Sequence, residues 1–308
     1  MLKRLRAAGP VLLVDAGNAL FELPGGADDL GKSKAELILR AMGDLKTSAM
    51  AAGERDLSLG PDFLAQAAGR AGVPVLSANL SRDGKPLFPA STVVTAGGVK
   101  VGLVGLSPVL PMDRFPGVRV EPPVKAALEE ARKLRGKVDL LVALAATSFA
   151  DSLQLSKEGG ALFDLVLMSG ERRALGSMQR SDQSYLLGSG ERGRAIGALE
   201  LDLAASGPLV DLADLDRTLV RKRNLEAQVQ EVRRRSTGER DPAVLASYQR
   251  ALASFQEQIQ QLRAQDPEGR AKGARTVQLL IHSLDEAVAD DPELKAQVVK
   301  LQPNPTPH

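Results

Sequence analysis

The sequence predicts an α/β protein built on a mixed sheet, and three observations carry that prediction. Short β-rich runs alternate with stretches of helical periodicity as far as about residue 205. The run VDLLVALAA (138–146) is apolar throughout, as a strand covered on both faces must be. STVVTAGGVKVGLVGLS (91–107) holds two strand-like runs joined by Gly97-Gly98, the pattern of an antiparallel hairpin. Helices interleaved with strands give parallel pairs, and the hairpin makes the sheet mixed.

Taken in order, MLKRLRAAGP reads as the end of a helix and a turn at Gly9-Pro10, followed by the buried strand VLLVDAG (11–17). Basic residues before VLLV imitate a leader, but Pro10 and Asp15 bracket an apolar run too short for a signal core. The loop at 24–31 is not a phosphate loop, because Lys32-Ser33 lacks a preceding Gly at the required offset. Residues 33–46 have helical spacing, with Ser33 as N-cap and Glu36 three residues on. FLAQAAGRAG (63–72) is a helix ended by Gly, VPVLSANL (73–80) a strand, and PVKAALEEARKLRG (123–136) a helix. LFDLVLMSG (162–170), SYLLGSG (184–190) and AIGALELDLA (195–204) read as further strands.

After about residue 216 the character changes. Leu245, Tyr248, Leu252, Phe255, Ile259 and Leu262 recur at spacings 3, 4, 3, 4, 3, a heptad seam. Asp241 can cap that helix with Pro242 at its first position. Leu225, Val229 and Val232 share one face of the preceding stretch, so 217–265 is expected to fold as an antiparallel helical hairpin. RTVQLLIHSLDE (275–286) returns to strand character and DPELKAQVVKL (291–301) to helix. The hairpin therefore reads as an insertion into a domain formed by 1–216 and 274–301, with 302–308 a disordered tail. Its basic runs, Arg221-Lys222-Arg223 and Arg233-Arg234-Arg235, suit a solvated face first, and otherwise an acidic partner or a membrane surface.

Composition narrows the chemistry. The 308 residues carry a net charge of +2, which gives no general pull toward nucleic acid. No apolar run is long enough to span a membrane. There is no cysteine, so disulfides, thiolate catalysis and zinc–thiolate sites are excluded. The two histidines, His282 and His308, cannot supply a site that needs several imidazoles. His282 lies in an apolar run and suits a structural role.

VLLVDAGN, MAAGERDLSLG, VPVLSANL, GGVKVGLVGLS, VDLLVALAA, FDLVLMSG and GSGERGRAIGALELD, in that order, resemble the N-terminal domain of the bacterial 5′-nucleotidase family, a branch of the calcineurin-like metallophosphoesterases. The resemblance covers about residues 1–210 and, more weakly, 275–301. It implies a sandwich of two mixed β-sheets flanked by helices, into which the hairpin is inserted. It also implies two divalent metals that activate water against a phosphate ester, and export to the periplasm or cell envelope, although the chain as given carries no signal peptide.

The implied metal ligands can be placed one by one. The first motif, Asp-x-His, is expected on a strand before Met1. The bridging Asp of Gly-Asp is Asn18; the Asn and His of Gly-Asn-His-Glu are Glu54 and Arg55. The His after DLLVALAA falls at Ala146, and Gly-His-x-His becomes Gly170-Glu171-Arg172-Arg173. Three readings follow. Asp15, Glu54, Asp56 and Glu171 could rebuild a metal site, against the repulsion of neighbouring guanidiniums. Arg55, Arg172 and Arg173, with Arg192 after the Gly188-Ser189-Gly190 turn, could hold an anionic small ligand directly. Otherwise Glu and Arg pair with each other and close the pocket, which is the reading the residues favour. The expected protein is then a catalytically inactive binding or scaffold module without cofactor, contacting a protein partner through 217–265. The alternative is a weak or metal-altered phosphoesterase.

Overall fold

In the computed structural model, residues 1–302 are described except 26–27, 111–114, 170–175, 189, 191–192, 265–268, 270–271 and 286. The expected tail thus lies outside the described residues but for Gln302. The chain divides into two units, Met1–Ala198 with Ile281–His308, and Leu199–Leu280.

The first unit opens with helix α1 (Leu2–Ala8) and strand β1 (Leu13–Asp15), then α2 (Asp29–Asp44), β2 (Thr47–Ala51), α3 (Pro61–Ala71) and β3 (Val75–Leu76). Strands β1, β2 and β3 form a parallel sheet in that order, as strand–helix alternation requires. Leu39 and Leu64 of the two crossover helices pack with Met50 of β2 and with Leu20 and Leu57 from the loops. Helix α2 begins a turn before the expected Ser33: Asp28 is its cap, accepting from Gly31 N, and Ser33 Oγ donates to Asp29 O inside the helix. Two acidic residues at 28–29 complement the helix N-terminus better than a serine four residues later.

The expected strand 73–80 is interrupted. After β3 the chain turns through Ser77–Asn79 and resumes as β4 (Leu80–Arg82), which pairs antiparallel with β5 (Lys85–Pro86) and β8 (Val118–Val120). Between them run β6 (Ser91–Ala96) and β7 (Val99–Leu106), the antiparallel hairpin read at Gly97-Gly98. Both glycines have positive φ, +57° and +83°, as such a two-residue turn demands.

Helix α4 (Pro123–Leu134) leads to β9 (Leu140–Ala145), α5 (Phe149–Gly159), β10 (Leu165–Met168), β11 (Gln179–Ser181) and β12 (Ser184–Gly188). These strands complete a mixed six-stranded sheet of order β11-β12-β10-β9-β7-β6. Its four central strands run parallel and its two edges are antiparallel. All six residues of β9 are buried. Leu128 and Ala131 of α4 and Leu155 of α5 pack with Leu141, Ala143, Val166 and Leu186 of the sheet. The fold class read from the sequence stands: an α/β protein with several sheets flanked by helices. Among the described residues four sheets are distinguished where two were expected, because β1–β3 and the short β4 group pair separately.

Strand β13 (Ala195–Asp202), β14 (Leu209–Asp211) and β15 (Arg275–Ser283) form the fourth sheet, with β14 parallel to β15. Helix α6 (Leu212–Ser236) starts directly from β14, capped by Asp211, and α7 (Pro242–Ala264) follows it. The five residues 237–241 reach at most about 18 Å, whereas α6 is about 37 Å long, so the two packed helices must run antiparallel. Leu225, Val229, Ile259 and Leu262 are buried between them, with Leu252 and Phe255 against that cluster. Leu245 and Val232, expected in the same seam, are only half-buried. The chain continues into α8 (Pro292–Leu301), which packs on α2.

Candidate functional site

The C-terminal ends of β1, β2, β9 and β10 converge. Gly17, just past β1, has φ +94°; a Cβ there would stand 2.8 Å from Ala51 O and 3.0 Å from the Cβ of Ala146. Gly53, past β2, would place a Cβ 2.5 Å from Asn18 N. Only glycine permits these backbones to approach so closely. Asn18 itself has φ +64°, a conformation that Asn tolerates better than most side chains.

Asp56 is the hub of this convergence. It is fully buried, and four backbone N–H groups donate to it. Asn18 N at 2.6 Å and Gly53 N at 2.9 Å reach Oδ2; Ala19 N at 2.8 Å and Leu20 N at 3.0 Å reach Oδ1. Burial pushes the carboxyl up from its ordinary range, while the four donors favour the charged form. A carboxylate offers about four lone-pair positions, and all are taken.

The Asn18 side chain is engaged at both of its polar atoms. Its Oδ1 accepts from Arg55 N at 3.0 Å, and its Nδ2 donates to Ser169 Oγ at 3.1 Å. Ser169, just past β10, in turn donates to Ala16 O at 2.7 Å. One amide therefore links the loops after β1, β2 and β10.

Asp15 is half-buried and accepts from Gly17 N at 2.7 Å. Burial first, and the Asp56 carboxylate second, push its carboxyl up to about 7 from an ordinary 3.8. The folded chain therefore holds this proton more tightly than the unfolded one. The resulting stability is fully present below about pH 4 and is lost as pH rises to about 7. Asp15→Asn keeps the acceptor and removes the charge. The variant is expected to exceed the parent by roughly 1–3 kcal/mol at pH 8, with the gap closing toward pH 4. Urea unfolding across that range measures it; a gap that does not change with pH contradicts the assignment.

No family model matches the chain, and no curated protein sequence matches it. Solved structures do. A 5′-nucleotidase precursor from Thermus thermophilus superposes with a TM-score of 0.55 at 24% identity, over 64% of this chain and 43% of that one. The sulfate thiohydrolase SoxB of Thermus thermophilus gives 0.56 at 20% identity, over 65% and 38%. The calcineurin-like phosphoesterase YfkN of Bacillus subtilis gives 0.54 at 18% identity, over 65% and 74%. The fold is that of the calcineurin-like phosphoesterases. The chain spans less than half the length of either Thermus structure.

Within that phosphoesterase fold, Asn18, Arg55 and Ala146 meet at the strand ends, with Glu54 in the same turn as Arg55. Glu171, Arg172, Arg173 and Arg192 lie outside the described residues. Among the described residues there is no group of three or more His, Asp or Glu side chains placed to hold a metal. Two divalent ions need several free anionic or imidazole donors. Asp56, with its oxygens filled by N–H groups, and Asn18, with its amide spent on Arg55 N and Ser169, do not fit that need. Sequence reasoning missed Ser169, which belongs to no ligand motif, and the role of Asp56, whose partners are backbone groups that leave no mark in a sequence.

Proposed function

We propose that this chain is a catalytically inactive relative of the 5′-nucleotidases that acts as a binding or scaffold module, with the α6–α7 hairpin as a contact element. The reading rests on one observation above the others. Asn18, at the position where the resemblance puts a metal-bridging aspartate, is a structural tie between three loops. A neutral amide stabilises a pair of cations poorly, and both polar atoms of this one already bond within the chain. Asp56 beside it is likewise committed to the backbone. What these residues do is hold the strand ends together.

The test is turnover of a nucleoside monophosphate and of an aryl phosphate by the full chain, with manganese or zinc added. The expected rate equals that of metal and buffer alone. Saturable turnover that disappears on chelation would overturn the reading in favour of a metal-altered phosphoesterase.

A further inference from the structure

A groove of about 590 Å³ runs along the helical hairpin of the second unit. Arg217, Val220, Arg221 and Gln228 line it from α6, and Phe255 and Gln258 from α7. The α6 positions recur at helical spacing on a face beside the buried seam of Leu225 and Val229. From Arg217 to Gln228 is about 16 Å along the axis, three turns of helix. Val220 is 38% exposed there, so the groove presents apolar surface to solvent.

The charge around it has a sign. Helix α6 carries seven Lys or Arg and four Asp or Glu, a surplus of three positive charges. Much of that charge is already paired: Arg234 and Arg235 hold Glu231, and Arg217 lies 3.7 Å from both Asp211 and Asp214. Arg221 differs. Its guanidinium donates to Gln258 Oε1 at 3.4 Å, and among the described residues it meets no carboxylate. Asp216 stands at one end of the groove, more than a helical turn from Arg221. A basic hairpin repels a second copy of itself. A groove three turns long, with apolar lining and a guanidinium that meets no carboxylate among the described residues, fits an amphipathic helix whose polar edge is acidic.

We propose that this groove docks an acidic amphipathic helix of a partner protein, with Val220 and Phe255 taking its apolar side chains and Arg221 a carboxylate. The proposal deepens the contact role given to the hairpin and rests on it. The probe is a phage-displayed library of helical 16-residue peptides panned against the full chain, followed by a synthetic representative read by fluorescence anisotropy. Enriched sequences are expected to carry Asp or Glu beside Leu, Ile or Phe at spacings of three and four. Binding of the representative is expected to weaken at least tenfold with Arg221→Glu and with Val220→Glu, and to fall with salt. Arg250→Glu, on α7 and outside the groove, should leave it unchanged. Both arginines are exposed, so circular dichroism should show intact helices in each variant.

No enrichment, enrichment of basic peptides, or indifference to Arg221→Glu would overturn the proposal. If Arg250→Glu abolishes binding and Arg221→Glu does not, the hairpin remains a contact element and the groove assignment falls. If neither matters, both fall. A dimer in sedimentation velocity that Val220→Glu dissolves would give the groove to a second copy, and anionic vesicles binding through Arg221 would give it to a membrane; either result replaces the acidic helix.

Discussion

Asp56→Ala is expected to lower the unfolding free energy by about 4 kcal/mol, a large share of the roughly 5–15 kcal/mol that holds an ordinary domain folded. The side chain is 0% exposed and accepts from four backbone N–H groups. Truncation leaves all four without a partner. Each unsatisfied buried donor costs about 1–3 kcal/mol, offset in part by release of a buried charge and by any water that enters. Asp56→Asn separates charge from geometry. It keeps one acceptor oxygen and turns an NH2 group against two N–H donors, so it should be nearly as damaging despite its identical shape. The measurement is the urea midpoint at constant m. If Asp56→Asn is neutral, the carboxylate is not what holds the loops after β1 and β2, and the account of the strand-end knot fails.

That residue also marks the limit of what the sequence discloses. Strands such as β9 are legible because burial on both faces demands an unbroken apolar run, and the β6–β7 turn because two left-handed residues demand glycines. Helix α5 was not legible. Its buried positions are Ser152, Leu155, Ser156 and Gly159, a clear three-and-four spacing filled mostly with small polar residues, so hydrophobic periodicity is silent. Those serines are buried at little cost because they find partners: Ser156 Oγ donates to Ser181 O, and Ser152 Oγ meets Thr147 Oγ1. The candidate site divides the same way. That Asn18 and Arg55 replace ordinary metal-binding residue types is visible in the letters. That Asn18 is tied to Arg55 N and Ser169 is not, because Ser169 is 151 residues away and the other partner is main chain.

Asn79→Ala is the second large effect, expected to cost about 3 kcal/mol, by the loss of four hydrogen bonds, three of them buried. Asn79 is buried, and its amide closes the junction between the parallel sheet and the six-stranded one. Its Oδ1 accepts from Ser107 N at 2.9 Å and from Ser77 Oγ at 3.2 Å. Its Nδ2 donates to Ser107 O at 2.9 Å and to Glu121 O at 3.2 Å. One side chain thus joins the chain after β3, the end of β7 and the residue before Pro122 and α4. Alanine strands Ser107 N–H and Ser107 O in the interior, each worth roughly 1 kcal/mol or more, whereas Glu121 is exposed and its carbonyl can turn to water. Ser77 keeps its bond to Ser107 Oγ at 2.9 Å, which limits the loss. Asn79→Asp is the sharper test. Both donors vanish, and a buried carboxylate then faces two carbonyl oxygens, so at neutral pH it should be worse than alanine. Protonation would restore one donor, so the folded-state pKa is raised. Stability in that variant is then greatest at low pH and is lost as pH rises through the raised value. Urea unfolding at about pH 5 and pH 8 reads the difference. If Asn79→Asp is as stable as the parent at pH 8, the amide donors carry no weight at this junction, and the two sheets are held by packing alone.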